Sequence, residues 1–269
     1  KVPFGIGQIG KAFRNEITPG NFTFRTIEFE QMEHQLFCKE GTDSDFYKNY
    51  KEKAMQFLID LGIPSNVLRF KDHEKLAHYA KEACDIEFKF PFGFGELWGT
   101  HNRTNFDLSR HQEYSKKSME YLDSETNEKY IPYVVESSVG CDRLTLALLC
   151  NAYDEEVLED GSTREVMHFI PALAPYKVAI LPLMKKYHQD KAREIYGKIS
   201  KYFMATYDET GNIGKRYRRQ DVIGTPYCVT IDENTLNNNT VTVRDRDTME
   251  QITISVDELI DYISNKVRF

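Results

Sequence analysis

Arginine and carboxylate side chains alternate in one short segment of the sequence, residues 13–33, which reads FRNEITPGNFTFRTIEFEQME. The Thr-Pro-Gly-Asn stretch at 18–21 is a turn signal, so the segment predicts a long antiparallel hairpin. Charges of both signs on one sheet surface can bind an anion and a cation side by side. The residues that would do so are Arg14, Glu16, Arg25, Glu28 and Glu33. The alternative interpretation is a solvated charged hairpin without a ligand.

A second segment, ESSVGCDRLTLALL, joins a strand to a helix. Residues 130–136 alternate as a strand, which places Glu136 and Ser138 at its end and Gly140 in the following turn. Arg143 then lies at the start of an apolar helix. The pattern predicts polar side chains gathered where the strand meets the helix.

Several other kinds of site are disfavoured. The P-loop pattern is missing, and GFGELWG at 93–99 lacks the glycine spacing of a dinucleotide-binding loop. The histidines are scattered, and neither His101 with His111 nor His73 with His78 has a supporting ligand set, so no histidine metal site is predicted. The five cysteines lack C-x-x-C spacing, which is typical of reduced thiols in a cytosolic protein.

Composition limits the class of protein. The 269 residues carry a net charge of −7 and 41% hydrophobic residues, which favours a globular protein over a polycation that coats nucleic acid. No apolar run approaches the length of a transmembrane helix, so we expect no membrane partner. Because the first residue is Lys1 and not methionine, we expect the chain to be a fragment of a longer protein.

The positioning elements suggest an α+β fold in two domains. We expect an antiparallel sheet in residues 1–172, with a helical insertion at about 43–83. Prolines near residue 172 suggest a boundary there. Residues 173–269 alternate strand and helix and end in a hairpin and a capped helix, which predicts a smaller mixed α/β domain.

Together these segments resemble motifs 2 and 3 of the class II aminoacyl-tRNA synthetases. IGKAFRNE, RTIEFEQME, GELWGTHNRTNFDL, RYRRQDVIGTPYCVT and TVTVRDRDTMEQ resemble glycyl-tRNA synthetase of the homodimeric type, and the resemblance covers nearly the whole chain. It implies the class II antiparallel sheet flanked by helices, followed by an anticodon-binding domain. It also implies a reaction: glycine and ATP form glycyl-adenylate, and the glycyl group passes to the 3' end of tRNA(Gly) in translation.

The resemblance assigns catalytic roles to Arg14, Glu16 and Arg143. Arg14 would bind the α-phosphate and the glycine carboxylate, and Arg143 would cover one face of adenine and reach the γ-phosphate. Glu96 is the implied contact for Mg²⁺. The implied ATP-binding residues are Arg14, Asn15, Glu16, Phe24, Arg25, Phe29, Glu96, Leu97, Gly140 and Arg143.

The implied glycine-binding residues are Phe29, Glu33, Glu136, Ser138 and Gly140. Carboxylates there would hold the ammonium group, and their bulk would leave no room for a larger side chain. Ser137 departs from the family pattern, in which proline is expected between Glu136 and Ser138.

A basic segment, GNIGKRYRRQD, is the candidate tRNA contact in the anticodon-binding domain. An aromatic ring among cations can stack on an unpaired base while the cations meet phosphates. The residues in question are Lys215, Arg216, Tyr217, Arg218 and Arg219. The alternative is a solvated basic loop.

The resemblance implies ATP, Mg²⁺, glycine and tRNA(Gly) as ligands, a homodimer in the full-length protein, and a cytoplasmic location. Motif 1, which builds the dimer interface in this family, has no counterpart in the sequence, so the activity of this chain alone is left open. The competing hypothesis is a non-catalytic, synthetase-like accessory protein that binds nucleic acid. Such a relative would be expected to lose the motif arginines, and Arg14, Arg25 and Arg143 are all present.

Overall fold

The computed structural model describes residues 1–269 and contains a six-stranded antiparallel sheet. The chain divides into two units, residues 1–150 and 151–269. The main sheet of the first unit contains β1 (Phe4–Phe13), β2 (Glu28–Cys38), β3 (Leu68–Asp72), β4 (Glu82–Phe90), β5 (Gly93–Thr104) and β8 (Tyr133–Gly140). Two short strands between β5 and β8 in the chain, β6 (Tyr121–Leu122) and β7 (Lys129–Tyr130), pair with each other. Their order across the sheet is β1-β2-β8-β5-β4-β3.

The central strand pair determines which side chains share a face. Glu33 of β2 lies opposite Ser138 of β8, and Gln35 lies opposite Glu136. Side chains alternate between the two faces of a strand, so these four project from the same face.

Helix α1 (Asp43–Asp60) covers the other face. Its Tyr47 packs in a buried cluster with Leu36 and Val135, each of which is adjacent in sequence to a residue of the polar face. Helix α2 (Phe106–Ser115) follows β5, and α3 (Cys141–Ala152) follows β8 directly. The α+β class and the antiparallel sheet with flanking helices are confirmed.

The expected helical insertion at 43–83 is wrong in its second half. Helix α1 ends at Asp60 with Leu61 as its C-cap, and Gly62 adopts a positive φ of 90° that favours glycine. Residues 68–72 then form β3, which pairs antiparallel with β4 at the edge of the sheet. Leu68 is buried and the rest of β3 is exposed, so this edge strand lacks the apolar alternation that identifies a strand.

The predicted charged hairpin is present, but its connecting loop is longer than the turn predicted at 18–21. Strand β1 pairs with β2 from Phe4–Phe37 to Phe13–Glu28. Residues 14–27 form the connecting loop, which contains a short 3-10 helix, Phe22–Phe24. The charged side chains of this loop therefore stand at the end of the sheet and are not all on its surface.

The second unit contains a hairpin, β9 (Tyr153–Val157) and β10 (Thr163–Met167), and a five-stranded mixed sheet. The elements that follow are β11 (Val178–Pro182), α4 (Lys185–Ile199), β12 (Ala205–Tyr207), α5 (Ile213–Ile223), β13 (Tyr227–Ile231), α6 (Glu233–Asn238), β14 (Thr240–Asp245), β15 (Gln251–Ser255) and α7 (Leu259–Lys266). Strands β12, β11 and β13 are parallel, and β14 and β15 add to them antiparallel. The predicted hairpin is confirmed, with Val241 opposite Ile254 and Val243 opposite Ile252.

The division between the units lies earlier than the boundary suggested by the prolines. Residues 151–172 belong with the second unit because the β9–β10 hairpin packs against α5. None of the helices has the length and apolar character needed to cross a membrane.

Candidate active site

A pocket at the end of the first unit's sheet brings together the two charged segments identified in the sequence. Ten of its lining residues have an implied role in binding ATP or glycine: Arg14, Glu16, Phe24, Arg25, Phe29, Glu96, Leu97, Ser138, Gly140 and Arg143. Five others were not predicted: Thr23, Thr26, Gln31, Val139 and Asp142. The pocket therefore combines three arginines with three carboxylates.

The loop of residues 14–27 is held closed by main-chain bonds. The Arg14 amide donates to Ile27 O (2.9 Å), and Gly20 and Arg25 exchange amide–carbonyl bonds of 3.0 and 3.2 Å. The Arg14 guanidinium lies 5.1 Å from the centre of the Phe29 ring, and Arg25 Nη1 is 3.6 Å from Glu16 Oε2. These contacts place two of the three arginines on one side of the pocket.

Arg143, in the first turn of α3, is the third arginine that lines the pocket. Its guanidinium packs 4.2 Å from the centre of the Phe24 ring and donates to Phe24 O (3.1 Å) and Glu96 O (2.8 Å). Burial lowers the pKa of Arg143, and the Glu96 carboxylate, 3.7 Å from Nη1, opposes that shift. One face of the guanidinium is thus fixed on an aromatic ring while the residue still lines the pocket.

A β-bulge sets the position of Glu96. Ile86 lies opposite Trp98, whereas Glu87 lies opposite Glu96, so Leu97 is the extra residue of β5. Bulges re-aim neighbouring side chains, and here both Glu96 and Leu97 reach the pocket. No pattern in the sequence indicated this bulge.

The carboxylates assigned to glycine lie farther along the sheet face. Gln35 Nε2 donates to Glu33 Oε1 (2.6 Å) and to Glu136 Oε2 (3.4 Å), and Gln31 Nε2 donates to the other Glu33 oxygen (3.2 Å). The two glutamines were not predicted as site residues. They hold the two carboxylates at fixed positions beside Ser138, which lies opposite Glu33.

Glu136 is largely buried and has cationic neighbours. Arg103 Nη1 lies 3.2 Å from Glu136 Oε2, and Arg103 also pairs with Asp107 at 2.6 Å. His101 Nδ1 lies 3.7 Å from Glu136 Oε1. Burial raises the pKa of Glu136, and Arg103 partly offsets that rise. Arg103 therefore links Asp107 to Glu136.

Three predicted residues of the first unit lie outside the pocket lining. Asn15 is exposed and does not line the pocket. Glu33 and Glu136 also lie outside the pocket lining. Gln35 donates to both carboxylates, and Gln31, which lines the pocket, donates to Glu33. The remaining assigned residues of the first unit line one pocket.

The structure corrects the expected tRNA contacts of two residues in the second unit. The basic segment is not a loop but helix α5, and its Arg216 is buried, donating to the carbonyls of Pro182, Glu209 and Gly211. Tyr217 is partly buried, and its hydroxyl is 2.6 Å from Thr230 Oγ1.

Three cations of that segment remain at the surface to different degrees. Lys215 is exposed, Arg219 is bound to Asp208 at 2.5 Å, and Arg218 lies 3.8 Å from the buried Asp221. Of the three, Lys215 alone has no ion-pair partner in the structure.

Comparisons with known proteins agree with this geometry. Residues 1–152 match the tRNA synthetase class II core domain (G, H, P, S and T), and residues 177–266 match an anticodon binding domain. The chain is 59% identical over 270 residues to a glycine–tRNA ligase of Clostridium acetobutylicum and 57% identical over 271 residues to that of Geobacillus kaustophilus. All of this chain is covered in both alignments, but it spans only 58% and 59% of those relatives. Since the class II core alone accounts for more than half of the 269 residues, the chain belongs to the class II aminoacyl-tRNA synthetases.

Proposed function

We propose that this chain carries the amino-acid-activating site of a glycine–tRNA ligase. The observation that supports it most directly is the placement of Glu33, Glu136 and Ser138 on one sheet face, beside a pocket lined by Arg14 and Arg143. A small zwitterion and a nucleoside triphosphate need such a pairing of carboxylates and arginines. The names of the relatives, all glycine–tRNA ligases, agree with this assignment.

The carboxylates of Glu33 and Glu136 would bind the glycine ammonium group, with the Ser138 hydroxyl as a further hydrogen-bond partner. Gln35 donates to both carboxylates, so their oxygens are already oriented and little reorganisation is needed. Bulky glutamate side chains around the Cα position would exclude larger amino acids sterically.

The arginines would bind and orient the anions in the first half-reaction. A glycine carboxylate oxygen attacks the α-phosphorus of ATP, the bond from that phosphorus to the bridging oxygen breaks, and pyrophosphate leaves. Arg14 and Arg25 would stabilise the charge that develops on the phosphates. The face of Arg143 that is not packed on Phe24 would cover adenine, with Phe29 on its other side.

Glu96 fits the role of a Mg²⁺ contact. Its side chain is 56% exposed, which leaves room for the waters that Mg²⁺ retains. When bound, the ion would neutralise phosphate charge. The Glu96 carboxylate would supply one oxygen ligand at the pocket rim, while the Glu96 main-chain carbonyl accepts a hydrogen bond from Arg143.

We assign the second half-reaction, transfer of glycyl to the 3'-terminal ribose of tRNA(Gly), to the same pocket. We assign activation to the first unit, residues 1–150, and anticodon binding to residues 177–266 of the second unit, and the family matches support this assignment. Lys215, Arg218 and Arg219 are the remaining candidates for tRNA contact, because Arg216 and Tyr217 serve the fold.

A homodimeric full-length enzyme in the cytoplasm completes the proposal. The free cysteines are consistent with a reducing compartment. A non-catalytic accessory protein is not favoured, because the arginines and carboxylates of the site are all present.

The test is amino-acid-dependent exchange of pyrophosphate into ATP, scanned over all twenty amino acids. It is run on this chain and on a chain extended at its N-terminus. Exchange with glycine alone in either chain supports the proposal. Absence of exchange in both, with both folded, would refute it.

A further inference from the structure

Two histidines and an aspartate outside the proposed chemistry lie together on the first unit's sheet. In His73, Asp85 and His101 one potential ligand atom of each lies within 4.8 Å of the others. His73 Nε2 is 2.8 Å from Asp85 Oδ2, and the two imidazole rings are nearly perpendicular with centres 5.9 Å apart. The sequence did not suggest this group, because it is spread over three strands.

Strand register brings the three residues together. His73 follows β3, and its amide donates to Ala83 O (3.0 Å). Ala83 of β4 lies opposite His101 of β5, and Asp85 lies opposite Gly99, which has no side chain to fill the space. Asp85 and His101 therefore lie on regular strands, and His73, the first residue after β3, is held beside them by its main-chain bond to β4.

The polar atoms of this group are incompletely used within the protein. His101 Nδ1 is buried without a hydrogen-bond partner, and the His101 side chain is only 18% exposed. The Asp85 carboxylate has one hydrogen-bond partner, His73. The nearby cations Arg69 and Lys71 are both bound to Glu87, and neither forms a close ion pair with Asp85.

A second group of similar composition differs in this respect. His168 Nδ1 is 2.6 Å from Asp247 Oδ1, and its Nε2 is 3.0 Å from Glu156 Oε1. Both ring nitrogens are therefore bound to carboxylates. Asp154, Glu156 and His168 are explained as an ion-pair network and serve as a comparison.

We propose that His73, Asp85 and His101 form a binding site for a divalent transition-metal ion of the zinc class. Two imidazoles and one carboxylate are a ligand set typical of such ions, and water completes the coordination. Zinc bonds of about 2.0–2.2 Å place tetrahedral ligand atoms about 3.4 Å apart. His73 Nε2 and Asp85 Oδ2, now 2.8 Å apart, would therefore separate slightly and exchange their mutual hydrogen bond for bonds to the metal. The site is distinct from the oxygen-only Mg²⁺ contact at Glu96.

Metal binding can be measured without glycine, ATP or tRNA, so its result is independent of the proposed function. The chain is stripped with a chelator and titrated with Zn²⁺ against a chromophoric competitor. We expect one tight equivalent, and an affinity reduced about tenfold or more in His73→Gln, Asp85→Asn and His101→Gln, since even partners of metal ligands contribute about 10–100-fold. His168→Gln is the matched control and should bind as the unmodified chain does.

Substitution with Co²⁺ distinguishes the histidine group from the cysteines. Ligation by nitrogen and oxygen gives weak visible bands, whereas thiolate ligands add an intense charge-transfer band. Circular dichroism checks that each variant is folded, and the partly exposed His73 is the substitution best tolerated. No Zn²⁺ uptake by the folded chain, uptake unchanged in all three variants, loss confined to His168→Gln, or a thiolate band would each overturn the proposal.

Discussion

The indole Nε1–H of Trp98 donates a 2.8 Å hydrogen bond to the hydroxyl of Ser137. The bond joins β5 to β8 on the sheet face opposite Glu33 and Glu136, the carboxylates proposed to bind glycine. Ser137 is the position where the family pattern leads one to expect proline. In this chain the serine is therefore a buried hydrogen-bond acceptor and not merely a change in turn stiffness.

Ser137→Ala should destabilise the first unit by about 1 kcal/mol, because the Trp98 donor loses its partner. Trp98 is the only tryptophan of the chain, so urea unfolding followed by its fluorescence reports on this unit. Ser109→Ala, at a half-buried serine whose hydroxyl makes no hydrogen bond, is the control. Equal stability of the two variants would contradict this role for Ser137.

Arg14→Ala should lower glycine-dependent pyrophosphate exchange by about 10²–10³-fold, as the loss of a preorganised charge contact does. The matched control is Arg110→Ala, which removes an exposed arginine paired with Glu113 on α2. Exchange in the control should stay near that of the unmodified chain. Near-normal exchange in Arg14→Ala would remove this arginine from the mechanism.

Gln35→Met should raise the KM for glycine about tenfold with little change in the KM for ATP. The methionine keeps the volume but removes both hydrogen bonds that orient Glu33 and Glu136, and a bond to a charged group contributes about 1.5–3 kcal/mol. Gln56→Met, at an exposed glutamine bound to Asp60, is the control. An unchanged KM for glycine would show that the carboxylates need no such support.

As the pH is lowered, glycine binding should begin to weaken at a higher pH than it would if Glu136 had the ordinary pKa of a glutamate. Burial raises the pKa of Glu136 above 4.5, and its ionised form is the one that would bind the ammonium. Arg103 opposes the rise, so Arg103→Met should move the loss of binding to still higher pH, whereas Arg110→Met should not. The measurement is the KM for glycine against pH.

The raised pKa of Glu136 also affects the free energy of unfolding. The folded state binds a proton at Glu136 more readily than the unfolded chain does, so this group destabilises the fold at neutral pH. That penalty is relieved as the pH falls through the folded-state pKa. A Glu136→Gln variant should therefore lose this particular pH dependence in unfolding experiments.

Arg216→Met and Lys215→Met should separate folding from tRNA binding in the second unit. Loss of the buried Arg216 leaves three main-chain carbonyls without their donor and should cost about 3 kcal/mol or more. Lys215→Met, at an exposed position, should leave stability within about 0.5 kcal/mol but weaken tRNA binding. Equal tRNA affinity in the folded Lys215 variant and the unmodified chain would exclude Lys215 from the interface.

Much of the fold could be predicted because apolar residues alternate where strands are half-buried. This holds for β4, with Ile86, Phe88 and Phe90, and for the β14–β15 hairpin. Helix α5 lacked such a signal, since its buried residues are Arg216, Gln220 and Asp221. Asp221 is bound by Arg244 at 2.8 Å, so a charged network takes the place of an apolar stripe.

The charged residues of the pocket were identified through motif resemblance, but their supports were not. Gln31 and Gln35 are ordinary strand residues until the register places them beside Glu33 and Glu136. The bulge at Leu97 depends on pairing between β4 and β5, which one strand alone does not specify. Likewise, His73 and His101 meet only because two intervening strand pairings bring them together.

The hydrogen bond between Gln35 and Glu136 joins residues 101 positions apart in the chain. Closing so long a loop has an entropic cost that must be met before the contact can stabilise anything. The local hairpins β1–β2 and β4–β5 can form earlier, whereas the central pairing of β2 with β8 must wait. During synthesis, we therefore expect the proposed glycine site to be completed only after β8 has emerged from the ribosome, as one of the last parts of this unit to form.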